Sequence, residues 1–150
     1  MLSVFLVAGV IVAATVAVHA AGLALILSHL SAHDETPRRL WPVTWLLIKV
    51  AWLLLAFHAI EISLWALYFR FEGLLPDAES AFYFSGATYL TIGYGDLVLP
   101  RPWRLLAPVE GATGILMCGL STGLFFAVLT RTRSAPPAPR TGPHTPPGGV

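Results

Sequence analysis

Six consecutive residues, Thr91-Ile92-Gly93-Tyr94-Gly95-Asp96, have the types and spacing to strip and coordinate a cation. Glycines at positions 93 and 95 adopt backbone angles closed to other residues, so successive carbonyls can point the same way. A ring of such oxygens replaces the water around a dehydrated ion. One chain offers one loop, and four chains about a common axis give rings of four oxygens. The carbonyls of Thr91, Ile92, Gly93 and Tyr94 are the expected ligands, with Gly95 completing the turn. The Thr91 hydroxyl adds a ring at the inner end. The side chains of Ile92 and Tyr94 are expected to turn away from the axis and brace the loop.

Something must hold that loop in place. Asp77, just after Pro76, is a good N-cap for a short helix over 78–90. Such a helix is too short to cross a bilayer, so it must be re-entrant, which is tolerated only inside protein or beside a watery cavity. Its C-terminal end, equivalent to about half a negative charge, would face the waiting cation.

Composition sets the surroundings. Hydrophobic residues make up 56% of the 150 and charged residues 11%, against roughly 25% charged in a typical soluble domain. So few charges cannot cover a soluble monomer. Nine basic and eight acidic residues leave a net charge of +1, with no basic excess for nucleic acid. The single cysteine, Cys118, excludes an internal disulfide or a CxxC site. Three apolar runs are each long enough for the 20 or so residues that a spanning helix needs. The expected organisation is an N-terminal transmembrane helix over 1–30, a cytoplasmic loop over 31–42 and a pore module over 43–130. The module divides into an outer helix 43–70, a pore helix 78–90, the filter 91–96 and an inner helix 103–130. A disordered cytoplasmic tail follows over 131–150; its last 17 residues hold six prolines and three glycines. The fold expected is an all-α membrane protein with three transmembrane helices, a re-entrant pore helix and a filter loop.

Arg38 and Arg39 precede the second run, and Arg131, Arg133 and Arg140 follow the third. Two spans separate these segments, so both can be cytoplasmic, with the N-terminus and the pore loop outside. A cleaved signal ending at Val18-His19-Ala20 would reverse that parity. It also lacks a charged n-region, and the apolar run continues past the site. A retained helix is therefore expected.

The segment Thr91–Asp96 resembles the potassium-channel signature, with Ile92 where Val is commoner. The resemblance extends from about Val43 to Thr130, and the arrangement is similar to that of small bacterial two-helix pore modules, with one added N-terminal helix. It implies a homotetramer in the lipid bilayer of a bacterial plasma membrane, with K⁺ ions in the filter, no other cofactor and no nucleic acid. Asp96, Thr88 and Tyr83 are expected to support the filter, through bonds to Asp96 and Tyr94 arranged differently from those of the family. Some relatives carry a pore-helix Glu four residues before the signature threonine, and Ala87 stands there. Two tryptophans of those relatives are matched by Tyr83 and Phe84, and an aromatic beyond the filter by Val98.

Glu61 and Glu110 fall level with the pore helix when counted at 1.5 Å per residue. Each must be protonated or hydrogen-bonded there. They either brace the filter or join helix to helix. His58 lies three residues before Glu61 and can touch it. In the family a glycine near the depth of Gly114 and Gly119 lets the inner helix bend; close packing is the alternative, since Gly119 and Gly123 form a GxxxG pattern. Phe125, Phe126 and Leu129 either close an apolar gate or face lipid. Lys49 is expected to snorkel beside Trp45 and Trp52. His19 and Cys118 are expected to be ordinary packing residues. No span carries a ladder of arginines, so no voltage sensor is expected. No catalytic triad, carboxylate pair or metal-spaced histidine motif suggests an enzyme. The competing reading is a non-conducting membrane subunit that assembles with another protein.

Overall fold

A computed structural model describes residues 2–32 and 40–133. They form α1 (Leu2–Ala32), α2 (Leu40–Phe71), α3 (Ala78–Tyr89), a 3₁₀ turn (Trp103–Leu105) and α4 (Leu106–Arg133). No strand occurs among the described residues. Three stretches, Leu2–Leu30, Trp41–Phe71 and Trp103–Thr130, are long and apolar enough to cross a membrane. The chain is an all-α integral membrane protein. Large apolar side chains such as Phe5, Leu6, Trp45, Trp52 and Phe126 cover its outside, as a hydrocarbon solvent requires.

Several helix ends differ from the sequence reading by a few residues. Leu40 and Trp41 belong to α2, because Pro42 in the first turn forfeits no intrahelical hydrogen bond. α3 ends at Tyr89 with Leu90 as its C-cap. The inner helix enters through the 3₁₀ turn and continues to Arg133, three residues into the stretch expected as tail. Residues 134–150 of that tail, and 33–39 of the expected cytoplasmic loop, lie outside the described residues.

α3 packs between α2 and α4, and α1 packs on α2 and α4. The buried positions of α1 are Val4, Ala8, Ile11, Thr15, His19, Gly22 and Ile26. Their alternation of steps of three and four draws one stripe down the helix. Glycine at 22 is required there: a Cβ would lie 2.8 Å from the Phe57 ring. The buried stripe of α4 repeats the spacing through Leu106, Glu110, Thr113, Met117, Ser121, Leu124 and Val128.

Two apolar clusters result. One joins Val4, Ala8 and Ile11 of α1 to Trp65 and Phe69 of α2, Phe84 and Tyr89 of α3, and Met117 of α4. The other joins Ile26, Val50, Leu54, Leu124 and Val128. The N-terminal half of α1 therefore lies at the end of the bundle that carries the pore loop. Between the clusters every long helix places polar side chains in its buried stripe: Thr15 and His19, then Glu61, then Ser121. A polar layer thus crosses the middle of an otherwise apolar bundle.

Candidate functional site

The pore loop begins with a well-capped helix. Asp77 is extended (φ −147°), and its Oδ1 accepts the Ser80 N–H at 2.8 Å. That bond holds the Asp77 carboxyl below the usual carboxylate range. At the other end, the chain folds back on the last carbonyls of α3. The Thr91 N–H donates to the Thr88 carbonyl at 2.9 Å, and the amides of Ile92 and Gly93 both donate to Ala87 at 2.8 and 3.1 Å. The first three amides of the loop are thus spent on the helix.

Thr91, Gly93 and Gly95 have positive φ, of 60°, 55° and 79°. Glycine meets that need at 93 and 95 without strain. Thr91 does not, and a left-handed non-glycine residue costs on the order of 1–3 kcal/mol. Residues 91–96 are all exposed in the single chain, Ile92 and Tyr94 included. Tyr94 stacks on Tyr83, with ring centroids 6.3 Å apart and planes 6° from parallel. The Tyr83 hydroxyl donates to Asp96 Oδ2 at 2.8 Å, and the bond to that carboxylate raises the Tyr83 pKa. Asp96 Oδ1 accepts the Leu97 N–H at 3.1 Å. A cavity of about 520 Å³ lies beside the loop, lined by Thr88, Thr91, Gly93 and Asp96 and by Gly111 and Ile115 of α4.

Behind the loop stand two fully buried carboxylates, Glu61 and Glu110. Burying a charge or an acid is costly unless its oxygens are bonded. Glu61 Oε2 accepts the Tyr89 hydroxyl at the end of α3, and Glu61 Oε1 meets His19 Nδ1 of α1 at 2.8 Å. His58 Nδ1 lies 3.0 Å from the Tyr89 hydroxyl and 3.4 Å from Glu61. The Ser121 hydroxyl of α4 closes the ring, 3.0 Å from His58 Nε2 and 3.4 Å from His19 Nε2. Glu110 Oε1 meets the Ser85 hydroxyl of α3, which also donates to the Ile62 carbonyl at 2.9 Å. Both carboxylates thus reach the pore helix, one at each end of its second half.

The sequence reading missed three residues of this layer. His19, expected as an ordinary packing residue, is buried against Glu61. Its place in the α1 stripe, four residues after Thr15, was the available signal. Ser85 and Ser121 carry no signal beyond being small polar residues in otherwise apolar faces. Gly114 also reads differently in three dimensions. A Cβ there would lie 2.0 Å from the Tyr89 carbonyl oxygen, whereas one at Gly119 would meet nothing within 4 Å. Gly114 is a point of close approach between α4 and the pore helix. Lys49 sits over the Trp45 ring, its Nζ 5.9 Å from the centroid.

Two membrane-spanning helices flanking a half-length helix and its return loop define a pore-loop membrane module. The sequence model of a family described as "Ion channel" matches residues 43–131, more than half of the chain, and the chain belongs to that family. The match takes in α2 through α4 but not α1. No curated protein and no solved structure matches the chain.

Proposed function

We propose that the protein is the subunit of a potassium-selective channel, four copies surrounding one pore and passing K⁺ passively down its gradient. The observation that carries this reading is the placement of Thr91-Ile92-Gly93-Tyr94-Gly95. The loop leaves the C-terminal end of a half-length helix, with its first three amides turned onto that helix and both glycines at positive φ. Four such loops stack rings of carbonyl oxygens from Thr91 to Tyr94 along the axis, and the Thr91 hydroxyls add the inner ring. Potassium loses its water to these oxygens, and repulsion between ions in adjacent sites moves them on. The carbonyl end of α3 lowers the cost of holding a cation nearby. The exposed faces of Ile92 and Tyr94 are then covered by neighbouring subunits.

Tyr83 and Asp96 hold the loop on one side, and Glu61 and Glu110 hold the pore helix against α2 and α4. The test is uptake of rubidium, a potassium substitute, by potassium-loaded proteoliposomes of the purified chain. Uptake that external sodium does not dissipate, and that Gly93→Ala abolishes, is expected. Equal uptake by the parent and Gly93→Ala would refute the filter assignment.

A further inference from the structure

The polar ring behind the filter has a donor set that conduction does not use. Three of its members, His19, His58 and Glu61, offer ligand atoms that all lie within 4.8 Å of one another. We propose that these three residues bind a divalent transition-metal ion of the zinc class, at the junction between α1 and the pore module.

Two imidazoles and one carboxylate, with a fourth position left to a hydroxyl or water, suit zinc and its neighbours rather than magnesium or calcium. Zinc–ligand bonds of about 2.0–2.2 Å at tetrahedral angles place ligand atoms roughly 3.4 Å apart. His58 Nδ1 stands 3.4 Å from Glu61 Oε2, and His19 Nδ1 stands 2.8 Å from Glu61 Oε1. Side-chain rotations within the ring close the remainder. His58 and Glu61 come from one face of α2, three residues apart, and His19 from α1, so the set needs no backbone rearrangement.

The surroundings supply what metal-binding imidazoles need. A histidine that ligates through Nδ1 carries its proton on Nε2 and donates it to an acceptor that fixes the ring. Both Nε2 atoms face one oxygen, Ser121 Oγ, at 3.0 and 3.4 Å. A serine oxygen has two lone pairs and can accept both. The Tyr89 hydroxyl, 3.0 Å from His58 Nδ1, donates to Glu61 Oε2 and fixes the carboxylate beside that imidazole. Coordination balances simply. The hydrated ion gives up water, each Nδ1 lone pair replaces a hydrogen bond, and any displaced proton passes to solvent. A groove of about 450 Å³ reaches the edge of the site at His58 and Ser121.

Occupancy would fasten α1, which lies outside the matched family region, to α2 and through Tyr89 to the helix that ends at Thr91. The site stands apart from the identity of the conducted ion, so its test needs no ion flux. Tag-free full-length protein in detergent is titrated with cobalt(II), and the zinc-loaded form is studied by X-ray absorption and thermal melting. The expected result is the visible absorption of a tetrahedral cobalt site at one ion per chain. Two imidazoles and one carboxylate should surround the zinc, and zinc should raise the melting temperature. His19→Gln and Glu61→Gln should weaken binding at least about ten-fold, and Ser121→Ala, which keeps all three ligands, by about 10- to 100-fold. A parent protein with no such absorption and no stabilisation by zinc would overturn the proposal, whether or not the variants assemble. So would binding that all three assembled variants retain. Cobalt binding without potassium flux would leave the site standing and refute the channel reading alone.

Discussion

Tyr83 and Asp96 are thirteen residues apart and joined by a 2.8 Å hydrogen bond from the phenol to the carboxylate. The bond fastens the far end of the 91–96 loop to the body of α3, while Tyr94 stacks on the same Tyr83 ring. Tyr83→Phe keeps the stack and removes the bond. It should leave assembly intact and shorten the conducting state several-fold, read as mean open time in single-channel recordings. The pH dependence has a definite sign. The Tyr83 pKa is raised from 10.0 by the Asp96 bond, so the donor is fully present below pH 10 and is lost only as pH rises through the raised value. Open time in the parent should therefore be flat on this account from neutral pH to about 9, then fall in stronger alkali. The Phe variant should lack that alkaline fall.

Gly114 and Gly119 should respond oppositely to alanine. A Cβ at 114 would press to 2.0 Å on the Tyr89 carbonyl, a backbone atom that cannot turn aside, whereas 119 has open space within its own chain. Overpacking of this kind costs about 1–3 kcal/mol. Gly114→Ala should lower the melting temperature and the yield of assembled protein. Gly119→Ala should assemble like the parent by size-exclusion chromatography.

Glu110 can be judged by the bond it makes. Ser85 has one hydroxyl hydrogen and two oxygens facing it, those of Ile62 and Glu110. Both contacts are satisfied together when position 110 supplies a donor. Glu110→Gln offers an N–H in nearly the same place and should preserve assembly and flux. Glu110→Ala removes the partner from a fully buried position and should cost about 1–3 kcal/mol, measured as a lower thermal midpoint with reduced flux.

Voltage should matter little to opening. Among the described residues, the lysine, arginine, aspartate and glutamate side chains well inside the spans are Lys49, Glu61 and Glu110, and both carboxyl groups are buried. Moving one charge through the field is worth about 2.3 kcal/mol per 100 mV. A conductance–voltage curve as shallow as one or two charges per channel is expected. A steep curve would require a moving ladder of charges that the chain lacks.

What could be read from the sequence was what depends on near neighbours. The three spans follow from uninterrupted apolar runs, the start of α3 from Asp77 capping Ser80, and the loop's backbone turns from glycines at alternate positions. What escaped depends on helix register across long separations. His19 reaches Glu61 over forty-two residues, and Ser121 reaches His19 over 102. Local sequence gives at most the shared face of Thr15 and His19, because a polar residue in an apolar helix looks alike whether it packs or bonds. Gly114 illustrates the same gap. Glycine permits both bending and close approach, and only the position of the Tyr89 carbonyl distinguishes them. Thr91 was legible as a coordinating residue, but not as one held at positive φ, since threonine gives no sign of that conformation.

The central claim is selectivity, and the reversal potential tests it most directly. Purified protein in a planar bilayer should be recorded with potassium on one side and sodium on the other, then through a series of potassium gradients. The account predicts a reversal potential that follows the potassium gradient as the Nernst relation requires, with sodium carrying no measurable current. A reversal potential near zero under potassium–sodium conditions, from single channels of the assembled protein, would contradict it.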